Sequence, residues 1–210
     1  GHAEPVVVGV GEALVAAGAV VVDAVVHVSV DQGVAREGLV VGRQPVAGLG
    51  GLELGARGRV GAAGAAGLGG ADPGHAEPAA VGGKEIEALG SKATPNYDSV
   101  AQFESAGNII KTAIDAFGRC DILVNNAGIL RDKQLVNMAP EDFDAVLKVH
   151  LYGGFNCCRH ALPVMRENGY GRIINIVSSA GLRGNFGQAN YGAAKAGLMG
   201  LAFVIAVEHM

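Results

Sequence analysis

From residue 98 onward the apolar positions follow a helix, then a strand, then a helix again. Val100, Phe103, Ile110, Ile114 and Phe117 recur at helical spacing, with Ser99 or Asp98 placed to cap the start and Gly118 the end. Asp121–Asn125 (DILVN) and Arg172–Val177 (RIINIV) are short, nearly continuous apolar runs, the pattern of parallel strands covered on both faces. Between them, residues 140–168 open with Pro, Glu and Asp and end before Gly169. They carry Phe143, Val146, Leu147, Leu151, Cys158, Leu162 and Met165 on one stripe, which predicts one long crossover helix. A further helix is expected from about Asn190 to the end of the chain, and Pro95 suits an edge strand, where a missing ladder donor costs little. Strands alternating with helices predict an α/β fold, a doubly wound parallel sheet.

The pattern fades towards the N-terminus. Residues 1–83 contain no Lys, Asn, Ile, Thr, Phe, Tyr, Cys or Met, all of which appear afterwards, and the pentapeptide GHAEP occurs at Gly1–Pro5 and again at Gly74–Pro78. Such a Gly-, Ala- and Val-rich stretch offers few large side chains to pack and little periodicity. The chain therefore divides into a low-complexity segment, 1–83, and an ordinary globular portion, 84–210. The absent amino acids are largely those with A- and T-rich codons, as expected of GC-rich DNA translated out of frame; sequencing the coding DNA would test this. With Gly1 at one end and Met210 inside an expected helix at the other, the sequence reads as a fragment: its N-terminal third is atypical and its C-terminus truncated.

Charge narrows the function classes. The formal net charge is −4 and no basic cluster occurs, which argues against a nucleic acid or an anionic membrane as partner. The apolar run Ala13–Val22 is too short to span a bilayer. Three cysteines without CxxC spacing point to a reduced, intracellular chain, and six scattered histidines without HExxH spacing predict no metal site.

Chemistry concentrates in the last third. Tyr191 and Lys195 are four residues apart on the last expected helix, one turn apart on the same face. An unperturbed phenol, with a pKa of about 10, is a poor base at neutral pH; lowering it by roughly 3 units requires about 4 kcal/mol of preference for phenolate. A nearby ammonium supplies part of that preference. Ser178 follows the strand RIINIV, at the sheet edge where open α/β sheets bind ligands, so its hydroxyl can meet a substrate oxygen. Asn125, Asn126, Ala127 and Gly128 (NNAG) end the preceding strand, where small residues let backbone approach a ligand.

NNAG, then Ser178, then Tyr191 and Lys195, in this order and spacing, resemble the short-chain dehydrogenase/reductase family over essentially all of residues 84–210, including NYDSV at 96–100, FGRCDILVNNAGILRD at 117–132 and GNFGQANYGAAKAGL at 184–198. The resemblance implies a Rossmann-like fold and a nicotinamide cofactor. It makes Tyr191 the acid/base, Ser178 the group that polarises the substrate oxygen, and Lys195 the ligand of the nicotinamide ribose that also favours the phenolate. It places Asp98 against adenine and Asn126, Ala127 and Gly128 along the adenosine side of the cleft, while Asn125 braces the sheet. Many relatives carry an Asn in the long crossover helix that supports a proton-relay water; His150 stands there, and the same supporting role is implied for it.

The segment KVHLYGGF around His150 resembles the dehydrogenase portion of the multifunctional enzymes of peroxisomal β-oxidation and their bacterial relatives. The expected reaction is therefore oxidation of a 3-hydroxyacyl-CoA, an acyl thioester, with NAD. The alternatives are a 3-oxoacyl-acyl-carrier-protein reductase using NADPH and an inactive fragment whose helices only make oligomer contacts. A homodimer or homotetramer through the two long helices is expected, in the cytoplasm, or in the peroxisome of a eukaryote.

The family's TGxxxGxG phosphate loop is missing from residues 1–83. The GxG pairs at Gly9, Gly48 and Gly67 are followed by Leu14, Glu53 and Asp72 where GxGxxG needs its third glycine, and GAAGLGG at 64–70 follows no convincing strand.

Overall fold

A computed structural model of the chain describes residues 25–28, 61–62, 84 and 92–209. Four parallel strands form one sheet in the order β2-β1-β3-β4: β1 (Val25–Val28), β2 (Gly61–Ala62), β3 (Ile122–Asn125) and β4 (Arg172–Asn175). The registers Val28↔Asn125 and Asn125↔Asn175 bring the carboxyl ends of β1, β3 and β4 to one edge. The chain adds β2 on one side of β1 and then returns to add β3 and β4 on the other. The sheet reverses its direction of growth between β1 and β3, the place where doubly wound folds open a ligand crevice. The glycine-rich stretch 64–70, rejected above as a phosphate loop, lies outside the described residues.

Helix α1 (Phe103–Phe117) presents Ala106, Ile109, Ile110, Ala113 and Phe117 to the core, and Gly118 closes it in the left-handed conformation (φ 80°), as its sequence predicts. Its start differs from expectation. Gln102 precedes the first turn without a side-chain cap, and Asp98 and Ser99 lie a turn too early. Instead the Ser99 amide donates to Ser105 Oγ at 2.6 Å. The edge strand expected around Pro95 does not form: Asn96 Oδ1 accepts from the Asp98 amide at 2.8 Å and Asn96 Nδ2 donates to Thr112 Oγ1 at 2.9 Å. These side-chain bonds take the place of a ladder in a stretch where Pro95 has no N–H to give.

The crossover predicted as one helix is three joined pieces: α2 (Pro140–Leu147), a π-helical turn (Lys148–Tyr152) and α3 (Gly153–Glu167). Two glycines after the wide turn explain why it is tolerated. A Cβ on Gly153 would meet Val100 Cγ2 at 2.8 Å, and one on Gly154 would meet Leu198 Cδ1 at 2.5 Å, so neighbours close in where side chains are missing. The core joins α1 to α3 over β3 through Ile109, Ile110, Leu123, Cys157, Cys158, Ala161 and Met165.

A four-residue helix, α4 (Ala180–Arg183), follows β4, and α5 (Ala189–Glu208) completes the described chain. By length and apolar composition α5 could cross a membrane. In the fold it buries a single stripe, Asn190, Ala194, Lys195, Leu198, Ala202 and Ile205, the spacing of a helix laid on a protein core.

Candidate active site

Tyr191 and Lys195 stand one turn apart near the start of α5, as their spacing demands, and Lys195 is almost wholly buried (3% exposed). Its Nζ donates to the carbonyl oxygen of Ile176, just past β4, at 2.5 Å and lies 5.5 Å from the centre of the Tyr191 ring. Removal from water pulls the Lys195 pKa down to about 8, which leaves an ammonium at neutral pH held beside the phenol.

Ser178 leaves β4 at the same edge, and its Oγ accepts the Ala180 amide at 3.2 Å. Two glycines press this segment against the tyrosine helix. A Cβ on Gly181 would lie 2.8 Å from the Ala196 backbone nitrogen, and one on Gly192 would lie 3.0 Å from the Ala180 carbonyl oxygen. The register between Ser178 and Tyr191 is thus set by backbone contacts that no side-chain movement can relieve.

His150, in the π-helical turn, packs edge-on against Tyr191 with ring centres 5.1 Å apart and planes at 88°. Its Nε2 is 3.1 Å from the Ile129 amide nitrogen and 2.9 Å from the Ile129 carbonyl oxygen. Burial, then the Lys195 charge, bring the His150 pKa down to about 4, so the ring is neutral at physiological pH. Gly128 makes room for it: a Cβ there would fall 2.4 Å from His150 Cε1.

Asn126, Ala127 and Gly128 follow β3 at the crevice edge. Asn125 Nδ2 donates to Asn175 Oδ1 at 2.9 Å and to Cys158 Sγ at 3.3 Å, tying β3 to β4 and to α3, the geometry of a sheet brace. Asp98 sits before α1, where its carboxylate accepts from Asn96 Nδ2 at 2.9 Å and Ser105 Oγ at 3.4 Å. The structure therefore gathers Tyr191, Lys195, His150 and Gly128 around one centre, with Ser178 pinned alongside and Asp98 engaged locally.

The hydrophobic pattern does not mark Asn190. Fully buried, it donates through Nδ2 to the Arg131 carbonyl (2.9 Å) and the Asp142 carbonyl (3.2 Å), while its Oδ1 accepts the Tyr191 amide (2.7 Å). A lone Asn in the register of a buried helical stripe is the signal that could have found it. Next to it the Lys133 amide donates to the Gly187 carbonyl at 2.8 Å, joining the segment after β3 to the loop before α5.

The crevice lies where doubly wound folds bind their ligands. It opens where the sheet reverses, small residues follow β3 there, and a buried ammonium and a hydroxyl line the neighbouring strand end. Comparison with known proteins agrees with this geometry. The family model described as short chain dehydrogenase matches residues 59–210. A putative short-chain type dehydrogenase/reductase of Mycobacterium tuberculosis is 52% identical over 144 residues, 67% of this chain and 50% of that protein. The peroxisomal hydratase-dehydrogenase-epimerase of Neurospora crassa is 54% identical over 124 residues, 59% of this chain and 14% of that protein. Among solved structures, a short chain dehydrogenase from Mycobacterium avium superposes with a TM-score of 0.64 at 42% identity, covering 72% of this chain and 55% of that one. The chain thus spans half or less of the length of these curated relatives. Parallel strands opening at one edge, the residues gathered there and a family match over most of the chain lead to one conclusion: this chain belongs to the short-chain dehydrogenase/reductase family.

Proposed function

We propose that the protein oxidises a 3-hydroxyacyl-CoA to the 3-oxoacyl-CoA, reversibly, with NAD. The observation that carries the reading is the burial of Lys195 beside Tyr191 at the carboxyl edge of the sheet, with Ser178 held next to them. Sequence kinship supports the substrate class: besides the Neurospora protein, a relative named peroxisomal multifunctional enzyme type 2 from Drosophila melanogaster is 52% identical over 124 residues.

Family membership implies a nicotinamide cofactor, whose ring supplies the hydride acceptor when bound; Lys195 would hold its ribose, and Asn126, Ala127, Gly128 and Asp98 its adenosine half. Tyr191 takes the proton of the substrate hydroxyl as the carbon gives up hydride, and returns it in the reverse direction. Lys195 favours the phenolate that this transfer requires, and Ser178 donates to the substrate oxygen. His150 supports this proton traffic as a neutral ring, packed edge-on against Tyr191 and hydrogen-bonded to the Ile129 backbone.

A second reading, reduction of a 3-oxoacyl-acyl-carrier-protein with NADPH, is favoured by the 47% identity over 124 residues with a 3-oxoacyl-[acyl-carrier-protein] reductase of Synechocystis. Steady-state rates with CoA and carrier-protein thioesters, each with NAD(H) and NADP(H), separate the two. The proposal expects the highest kcat/KM for the CoA thioester with NAD(H); preference for the carrier-protein thioester with NADPH would replace it by the second reading. The cytoplasm or the peroxisome suits either activity. Self-association through α3 and α5 is part of the proposal, since Phe155, Phe203, Val204 and Val207 are exposed on those helices.

A further inference from the structure

Asn190, the residue before the tyrosine, has no part in the reaction chemistry, yet both polar atoms of its side chain are engaged. It is fully buried in the stripe that α5 lays on the core. A carboxamide offers two donor hydrogens and one acceptor oxygen. Here Nδ2 donates to the Arg131 carbonyl at 2.9 Å and to the Asp142 carbonyl at 3.2 Å, while Oδ1 accepts the Tyr191 amide at 2.7 Å. These partners fix which way the group faces. Reversed, it would set its oxygen against two carbonyls and its NH2 against an N–H.

The place of Asn190 in its helix gives these bonds a use. Helix α5 starts at Ala189, and Gln188 before it makes no side-chain cap. Tyr191 therefore lies in the first turn, where backbone amides have no partner within the helix. The ladder begins with the Gly192 amide, which donates to the Gln188 carbonyl at 2.8 Å. Asn190 Oδ1 takes the tyrosine amide that the helix leaves over.

The two ends of the Tyr191–Lys195 turn are held from different directions. Lys195 is tied to the β4 side through the Ile176 carbonyl. Asn190 ties the tyrosine end to the chain leaving β3, at Arg131, and to the first turn of α2, at Asp142. Gln188 to Asp132 and Lys133 to Asp142 join the same segments, but these bonds are exposed, and in water such contacts hold geometry weakly. Shielded from water, the Asn190 bonds are the stronger constraint.

We propose that Asn190 is a positioning residue for Tyr191: its carboxamide fixes the tyrosine backbone to the chain leaving β3, and so sets how far the phenol stands from the strand edge where the proposed cofactor sits. The proposal rests on the acid/base role of Tyr191 given above, but the placement can be read without turnover.

Asn190→Leu keeps a side chain of similar size and removes all three bonds. With a 3-hydroxyacyl-CoA and NAD, kcat should fall about 10²-fold, the effect of a misplacement of about 1 Å, while KM and NADH binding stay largely unchanged. Ile109→Val, a truncation in the core on α1, should lower Tm but keep kcat, which separates positioning from loss of stability. NMR reads the placement directly. In Asn190→Leu the Tyr191 amide should exchange faster with solvent, and cross-peaks between the Tyr191 and His150 rings, whose centres are 5.1 Å apart, should weaken. If Asn190→Leu does not fold, Asn190→Ser replaces it, since one hydroxyl hydrogen cannot serve two carbonyls. Wild-type kcat in the folded variant overturns the proposal, as does an equal fall in Ile109→Val. A wild type that turns over no 3-hydroxyacyl-CoA sinks the reaction reading instead, and the NMR arm then decides alone. Unchanged ring cross-peaks and Tyr191 exchange in the folded variant overturn the positioning role; weaker cross-peaks and faster exchange uphold it.

Discussion

Two buried bases, Lys195 and His150, lie close enough for the charge of one to act on the other, and burial disfavours the charge on both. Lys195 remains the cation at neutral pH while His150 stays neutral, so of these two bases Lys195 supplies the positive charge beside Tyr191. A consequence for stability follows from the sign of the His150 shift. Its pKa is about 4 in the folded chain against 6.5 when unfolded, so the unfolded state binds the extra proton first as pH falls. Stability is therefore retained above about pH 6.5 and is lost progressively down to pH 4, by up to roughly 3 kcal/mol. Urea unfolding from pH 7 to pH 4 should show this loss in the wild type and a shallower dependence in His150→Asn, which does not titrate; equal slopes would contradict the assignment. Tyr191, Lys195 and Ser178 are legible in the sequence because one helix and one strand end fix their positions. The His150–Gly128 contact and the Asn190 bonds are not, because they join segments that only the tertiary fold brings together.

At the scale of elements, the site depends on how closely α4 approaches α5. The sequence pattern places α1, β3, β4 and α5 within a few residues, since each has its own periodicity. It does not show the π-helical turn, whose wide backbone is tolerated because Val100 and Leu198 pack where Gly153 and Gly154 lack side chains, nor the absence of a strand near Pro95, where Asn96 binds the backbone locally. The approach of α4 to α5 rests on Gly181, where an added Cβ would collide with backbone that cannot rotate away. Gly181→Ala is expected to cost about 1–3 kcal/mol in stability. It should also lower kcat more than it raises KM, because it displaces Ser178 relative to Tyr191. Thermal unfolding and steady-state kinetics check both; a variant with wild-type kcat would show that the α4–α5 contact does not position the site.

For the whole molecule, the described helices leave large apolar side chains outside: Phe203 is 63% and Val207 68% exposed on α5. Surfaces of this kind are expected to be covered by a second copy. Sedimentation velocity should find an oligomer for the wild type and a smaller species for Phe203→Glu; a wild type that sediments as a monomer at micromolar concentration would remove the self-association proposal. Residues 1–83 are hard to read because they hold no aromatic side chain and frequent glycines interrupt any periodicity among their valines, although β1 and β2 both lie there. The sheet they share with β3 and β4 creates the reversal that opens the crevice.

The proposed activity turns on Tyr191 exchanging the substrate proton next to a bound nicotinamide. Its most direct measurement is kcat for NAD-dependent oxidation of a 3-hydroxyacyl-CoA by the wild type and by Tyr191→Phe, with NADH binding followed in parallel by nicotinamide fluorescence. In Tyr191→Phe kcat is expected to fall about 10²–10⁴-fold with cofactor binding largely retained; equal turnover by the two proteins, or no turnover by a folded wild type that binds NADH, would contradict this role.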